Sequence, residues 1–391
     1  MDFSFTEEQN LLRESVRKLV DKSYTSEARK QLLASERGYS DDNWRSFAEL
    51  GWLAIPFAEE DGGLGGNAVD TMIVLDELGK GLVLEPYFPT VILAGGVLRR
   101  ASRALRARYV PQLIEGALQA TVAYAEADSR FDLFHVGTSA KKNGDHYVLD
   151  GKKIAVLAGP SADLLIVSAR TSGDARDREG ISLFAVDAKS AGLSRTDYRT
   201  VDGLRGADIT LSGVKVPSDA LIGGEGNGLP LLEVAVDEAL IALGAEAVGI
   251  MEVLYKSTVA YTKERKQFGV PISTFQVLQF RMVDQFMEYE QAKSMLYMAV
   301  MTLDRVSKAK SEPGEAGEQA RRELAKAASA LKVQIGKAGR QIGQAAIQNH
   351  GGMGMTDELA VSHYFKRMTM IDLLFGNVDY HLDRYRALSL G

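Results

Sequence analysis

The chain has no cysteine in its 391 residues. That excludes disulfides, thiolate metal ligands and a thiol nucleophile. Histidine is sparse: His135, His146, His350, His363 and His381 stand in unrelated contexts with no carboxylate at ligand spacing, so no metal site is expected. There is no G-x-S-x-G elbow for a serine nucleophile, and no G-x-G-x-x-G leads from a strand into a helix as a Rossmann site requires. Surplus positive charge is also missing. A formal net charge of −6 provides no basic face, so nucleic acid is not an expected partner. No apolar run approaches the length of a membrane span. The opening Met1-Asp2-Phe3-Ser4-Phe5-Thr6-Glu7-Glu8 lacks the basic and long apolar regions of a secretory signal, so a cytoplasmic location without membrane attachment is expected.

What is present is a globular composition, 46% hydrophobic and 25% charged, on a chain too long for one ordinary core. Its texture changes twice. Up to about Gly116 it reads as helices: an amphipathic run after Thr6, a plausible N-cap; Trp44, Phe47, Leu50 and Trp52 at helical spacing; and Val69 to Leu78. Short strands follow at Ala120–Tyr124, Tyr147–Lys153, Leu164–Ser168, Ile181–Val186 and Asp208–Leu211, punctuated by Gly, Asp and Ser. From about Gly223 helical texture returns, with runs at Leu229–Phe268, Phe275–Val306, Glu318–Asn349, Asp357–Thr369 and Asn377–Leu388, and a loop at Ser311–Glu315. The expected plan is α+β and multidomain: an N-terminal α-helical domain (1–118), a middle β barrel or sandwich (119–224) and a C-terminal four-helix bundle (225–391).

Three polar tracts invite a functional reading, each against a plainer one. Gly62-Gly63-Leu64-Gly65-Gly66 lies between predicted helices and reads as a loop. Arg265-Lys266-Gln267-Phe268-Gly269 reads as a helix end with basic residues in the last turn and Gly as the residue beyond it; alternatively, the Arg clamps a phosphate. Gln348-Asn349-His350-Gly351-Gly352 is either a simple glycine stop or a place where backbone N–H groups approach an anion closely.

Residues 264–284 and 344–358 closely resemble two signature segments of the acyl-CoA dehydrogenases, and the resemblance extends over the whole chain, including Leu149-Asp150-Gly151-Lys152-Lys153. With His363-Tyr364-Phe365-Lys366-Arg367 and Leu374-Phe375-Gly376-Asn377, the chain resembles the small-subunit type of pimeloyl-CoA dehydrogenase. The resemblance implies FAD as cofactor and oxidation of an acyl-CoA thioester to the trans-2-enoyl-CoA. In that reaction a Glu carboxylate removes the α proton and hydride leaves Cβ for the flavin. Electron-transfer flavoprotein is implied as the electron acceptor. It also implies that Arg265, Gln267, Phe268, Gln348, Gly351 and Gly352 reach across a dimer to a neighbour's FAD.

The chain departs from the family on its own side of the site. Phe375 occupies the position of the common catalytic Glu; Asn377 stands for a Thr that bonds FAD, and Asp379 for a Gln. A minority of the family carry the base on the first long C-terminal helix. Here that position is Ala239, followed by Leu240 instead of Arg, with Glu238 about 100° around the helix. Tyr124-Ala125-Glu126-Ala127-Asp128 and Ala155-Val156-Leu157-Ala158-Gly159 replace flavin-facing segments that usually carry hydroxyls and a Trp. The leading expectation is a base-lacking subunit that completes the FAD site of a homologous catalytic subunit in an α2β2 enzyme, acting on a fatty or steroid side-chain acyl group. The alternatives are a self-sufficient enzyme with a displaced base at Glu238, Glu246 or Asp379, Glu246 standing among small apolar neighbours, and a non-enzymatic acyl-CoA-binding or scaffold protein.

Overall fold

The computed structural model describes residues 4–309 and 315–390. Helix α1 (Glu7–Ser23) starts where Thr6 predicts. The Thr6 hydroxyl accepts from the Gln9 N–H and the Gln9 side chain accepts from the Thr6 N–H, both at 3.2 Å, closing a capping box. After it come α2 (Ser26–Ala34), α3 (Asp41–Glu49), α4 (Ala68–Lys80), α5 (Gly95–Leu98) and α6 (Arg103–Ile114). A π-helical segment, Phe88–Ala94, precedes α5. In the Gly-rich loop, the N–H groups of residues 62–66 are taken up by carbonyls of Ala54, Ile55, Phe57, Ala58 and Glu59. None of those donors is left for an anion, so the loop reading holds.

Strands β1 (Ala120–Ala123), β2 (Ser139–Asn143), β3 (His146–Leu157), β4 (Leu164–Arg170), β5 (Ile181–Asp187), β6 (Leu193–Arg199), β7 (Arg205–Pro217) and β8 (Leu221–Ile222) form one eight-stranded sheet. Its order is β6-β7-β3-β2-β4-β5-β8, with β1 parallel to β4. The sheet is mostly antiparallel, and β4 is buried along its whole length, as its continuous apolar run requires. The bundle helices are α7 (Gly228–Glu264), α8 (Gln276–Ala309), α9 (Glu315–His350), α10 (Ala360–Leu373) and α11 (Val378–Leu390). Ser311–Gly314, most of the expected loop between α8 and α9, lies outside the described residues.

By packing, the chain forms two compact units: 1–31, 68–83 and 240–391 in one, and 32–67 and 84–239 in the other. Thus α1 and α4 share a core with the bundle. Backbone meets backbone there: a Cβ on Gly79 would stand 2.4 Å from the Glu246 carbonyl oxygen, and one on Gly249 2.2 Å from that of Asp76. In the other unit, the fully buried Lys153 ammonium donates to Glu126 Oε1 (2.7 Å), Ser168 Oγ (3.0 Å) and the Tyr124 carbonyl (3.3 Å). Glu126 also accepts from the N–H groups of Gly137 (2.8 Å) and Thr138 (3.0 Å), so one carboxylate ties β3 to the start of β2. Arg170, at the end of β4, gathers the carbonyls of Phe134, Val136, Ala175, Asp177 and Glu179 and shapes the charged 172–180 loop.

Removing one partner of a buried ion pair strands the other charge. Glu126→Gln is therefore expected to destabilise the chain by about 3 kcal/mol in urea unfolding. A change below 0.5 kcal/mol would show that this carboxylate does not hold the sheet.

Candidate functional site

Helix α7 does not run on to Phe268, as its pattern predicts, but stops at Glu264. Lys266–Gln267 (β9) then pairs with Val270–Pro271 (β10). The turn residues Phe268 and Gly269 both take left-handed backbone, φ 53° and 83°, as a tight two-residue hairpin demands. Gly269 is thus a hairpin residue rather than a helix stop. The turn lifts the Phe268 ring, 91% exposed, clear of the surface, braced edge-on by Phe275 at 6.1 Å. Arg265 and Gln267 are exposed beside it, and Arg265 has no carboxylate partner among the described residues.

Helix α9 ends at His350, and Gly351 turns left-handed at φ 61°. The two motifs meet through one stack. The His350 ring lies on Tyr261 of α7 at 4.3 Å and 28°, and the Tyr261 hydroxyl donates to the His350 carbonyl (3.4 Å). Burial pushes the His350 imidazole below its usual range, which favours the neutral ring for stacking. Gln348, Gly351 and Gly352 are exposed, and a Cβ on either glycine would meet no atom within 4 Å. The hairpin and the α9 terminus thus form an open polar face around a buried stack. Tyr261 is a member that the sequence reading did not identify; its spacing four residues before Arg265 was the available signal.

Beside this face α8, α9 and α11 line an open groove of about 870 Å³, whose polar wall includes Arg281, Arg340, Gln344, Gln348, Asn377 and Asp379. Its floor begins at the turn after α10. Phe375 is buried at φ 59°, and Gly376, at φ 117°, has no room for a side chain because a Cβ would stand 2.3 Å from the Tyr380 ring. The Asn377 side chain accepts from the Tyr380 N–H (3.1 Å) and caps α11, so one lone-pair direction of its amide is already used. Asp379, in the first turn of α11, is exposed where a carboxylate complements the helix dipole.

Two buried groups missed in the sequence fix this turn. Lys332 of α9, fully buried, donates to the carbonyls of Asp372 (2.8 Å) and Gly376 (2.7 Å). His381 bonds the Phe375 carbonyl through Nε2 (3.1 Å) and Ser329 Oγ through Nδ1 (3.4 Å). A lysine inside the apolar run Ala327–Val333 was the available clue.

The other candidate carboxylates are engaged. Glu238 is buried between Arg99 Nη2 (3.0 Å) and Arg100 Nη2 (2.6 Å), and Ala239 beside it is fully buried. Glu246 is gripped by Arg367 through Nε (2.6 Å) and Nη2 (2.9 Å), so it does not stand alone among apolar neighbours. In the β unit Ala125, Ala155 and Leu157 offer no side-chain donor. The Ala125 carbonyl accepts from Ile154, the Ala155 N–H donates to Asp208 and the Leu157 carbonyl accepts from Thr121. Among the described residues no group of three or more His, Asp or Glu could hold a metal, and no helix is long and apolar enough to cross a membrane.

Three family models match the chain: acyl-CoA dehydrogenase N-terminal domain over residues 6–117, middle domain over 121–214 and C-terminal domain over 226–387. A curated relative, the short-chain-specific acyl-CoA dehydrogenase of Clostridium acetobutylicum, is 30% identical over 307 residues, covering 76% of this chain and 80% of that protein. Among solved structures, the ChsE4–ChsE5 complex from Mycobacterium tuberculosis superposes with TM-score 0.86 at 26% identity over the full length of both chains. The FAD complex of PigA does so with TM-score 0.88 at 26% identity, again over the full length of both.

Burial draws the Lys332 ammonium down to about 8, from an ordinary 10.5. Below pH 8 both folded and unfolded chains carry the proton, and folding bears the full cost of burying the charge. Between pH 8 and 10.5 the folded lysine is neutral while the unfolded one is still charged, so stability rises. Relative to Lys332→Met, the wild-type chain should gain about 3 kcal/mol of unfolding free energy from pH 8 to 10.5. A difference flat across that range in urea titrations would contradict the assignment.

Proposed function

The chain belongs to the acyl-CoA dehydrogenase family, and we propose that it serves as a base-lacking subunit that completes the FAD site of a homologous catalytic subunit. The observation that carries this reading is the buried Phe375 at the position of the base, with Glu238 and Glu246 both engaged by arginines. A general base must come within hydrogen-bond reach of the proton it removes. The same engagement counts against a self-sufficient enzyme with a displaced base; Asp379, exposed on α11, is the one candidate not so engaged.

The outward residues fit FAD. Arg265 has no competing carboxylate among the described residues and can meet a pyrophosphate bidentately. Gln267 and Gln348 offer amides to ribose or phosphate oxygens. The open faces of Gly351 and Gly352 let backbone N–H groups approach an anion that a side chain would hold off. Phe268 provides a ring face to a neighbouring aromatic system. The residues at the family's other flavin-facing positions fit poorly: Ala125, Ala155 and Leu157 supply neither hydroxyl nor aromatic face, and Asp379 would bring a carboxylate toward phosphates. Bound in the partner, FAD supplies the hydride-accepting ring for acyl-CoA oxidation. This chain's part is to neutralise and orient the cofactor's phosphates. Assembly with a second chain is supported by the ChsE4–ChsE5 complex, since this chain is similar throughout to a chain of it. Electron-transfer flavoprotein would then receive the electrons.

Purified alone, the chain should be colourless and inactive toward acyl-CoA. Co-expressed with a homologue that carries the turn carboxylate, it should yield a yellow complex with one FAD per pair of chains. Arg265→Ala in that complex should lower FAD retention and activity by at least tenfold. Stoichiometric FAD and acyl-CoA oxidation by the chain on its own would overturn the proposal.

A further inference from the structure

A second cavity lies in the bundle unit, enclosed by α1, α4, α7 and α8, with a volume of about 170 Å³. It shares no lining residue with the groove. Its ionic groups divide into a closed set and a remainder. Lys80 Nζ sits among Asp76 (2.6 Å), Glu77 (3.0 Å) and Glu252 (3.1 Å). Arg17 pairs with Glu77 at 3.0 Å, and Lys256 pairs with Glu252. Three carboxylates therefore face three cations, and the set is neutral.

Arg13 and Lys293 are left over, and both line the cavity. Arg13 donates to the neutral amide of Asn10 (2.9 Å) and lies 5.3 Å from the Phe5 ring centroid. Lys293 lies 5.6 Å from the ring centroid of Tyr289 and 5.9 Å from that of Tyr297. Neither has a carboxylate partner among the described residues. Two half-buried cations that line one small cavity without a carboxylate of their own raise its positive potential, and a partly low-dielectric wall strengthens that effect. A small anion between them would relieve it, and both side chains have N–H donors left to bind it.

We propose that this cavity is a binding site for a small oxyanion of the phosphate or carboxylate class, held by Arg13 and Lys293. The tyrosine and phenylalanine rings wall the ion from solvent, and the neutral Lys80 cluster fixes the floor. Nothing in this assignment uses the FAD-facing residues, so it stands or falls independently of the subunit role.

Isothermal titration of the purified full chain with inorganic phosphate, and separately with malonate, tests it. Saturable one-to-one binding of either ion is expected, and which of the two binds more tightly identifies the source. The double variant Arg13→Gln/Lys293→Gln should weaken binding at least tenfold, and Lys293→Arg should keep it within threefold. Circular dichroism melts of both variants would verify that they remain folded. Equal binding by the wild-type chain and a folded double variant would overturn the proposal. So would the absence of saturable binding of both ions at millimolar concentration.

Discussion

The stack of His350 on Tyr261 is the contact on which the polar face depends. Each ring sits near the end of a long helix, and each helix end leads directly into one of the two segments that carry the exposed polar groups. Without the stack, the β9–β10 hairpin and the glycine turn would be two separate termini. With it they share one buried anchor, and the short loops on either side inherit its position. A neutral imidazole suits this role, because burial disfavours its charged form, and the ring is held in place by donating to the Ala346 carbonyl at 2.8 Å. Precision at a surface assembled from loops is thereby borrowed from the helices beneath it.

A contrast in hydrogen bonding runs through both units. Three inward-facing carboxylates are engaged: Glu126 by Lys153 and two backbone N–H groups, Glu238 by two arginines, Glu246 by Arg367. Groups on the hairpin and on the α9 terminus are left with capacity. Saturated carboxylates hold a fold but are poor proton acceptors, whereas unsaturated guanidinium and amide groups hold nothing until a partner arrives.

Much of the architecture was legible in the sequence because period and punctuation are local. The Thr6 cap, the α4 run, the all-buried β4 and the glycine stop after His350 all follow from patterns a few residues long. The ends of α7 and α10 were less legible. Helical periodicity continues through Phe268, but pairing of Gln267 with Val270 captures those residues for a hairpin. The expected start at Asp357 yields to Ala360, since Gly351–Met355 makes a 3₁₀ turn first. Of the site, Arg265, Gln348 and the glycines were readable as motifs. Lys332, His381 and the arginines on Glu238 were not, because most of their partners lie tens to more than a hundred residues away and several are backbone carbonyls that any sequence supplies.

That last point bears on how the turn after α10 can change over evolutionary time. Lys332 and His381 grip the carbonyls of residues 372, 375 and 376, never the side chain of residue 375. These anchors on the turn's backbone therefore do not depend on the side chain at residue 375. A lineage could trade an acid for a phenylalanine at that position without dismantling the turn, so the chemistry can be lost or regained there while the scaffold persists. A duplicated gene could in this way shed catalysis in a single step and remain a well-folded partner.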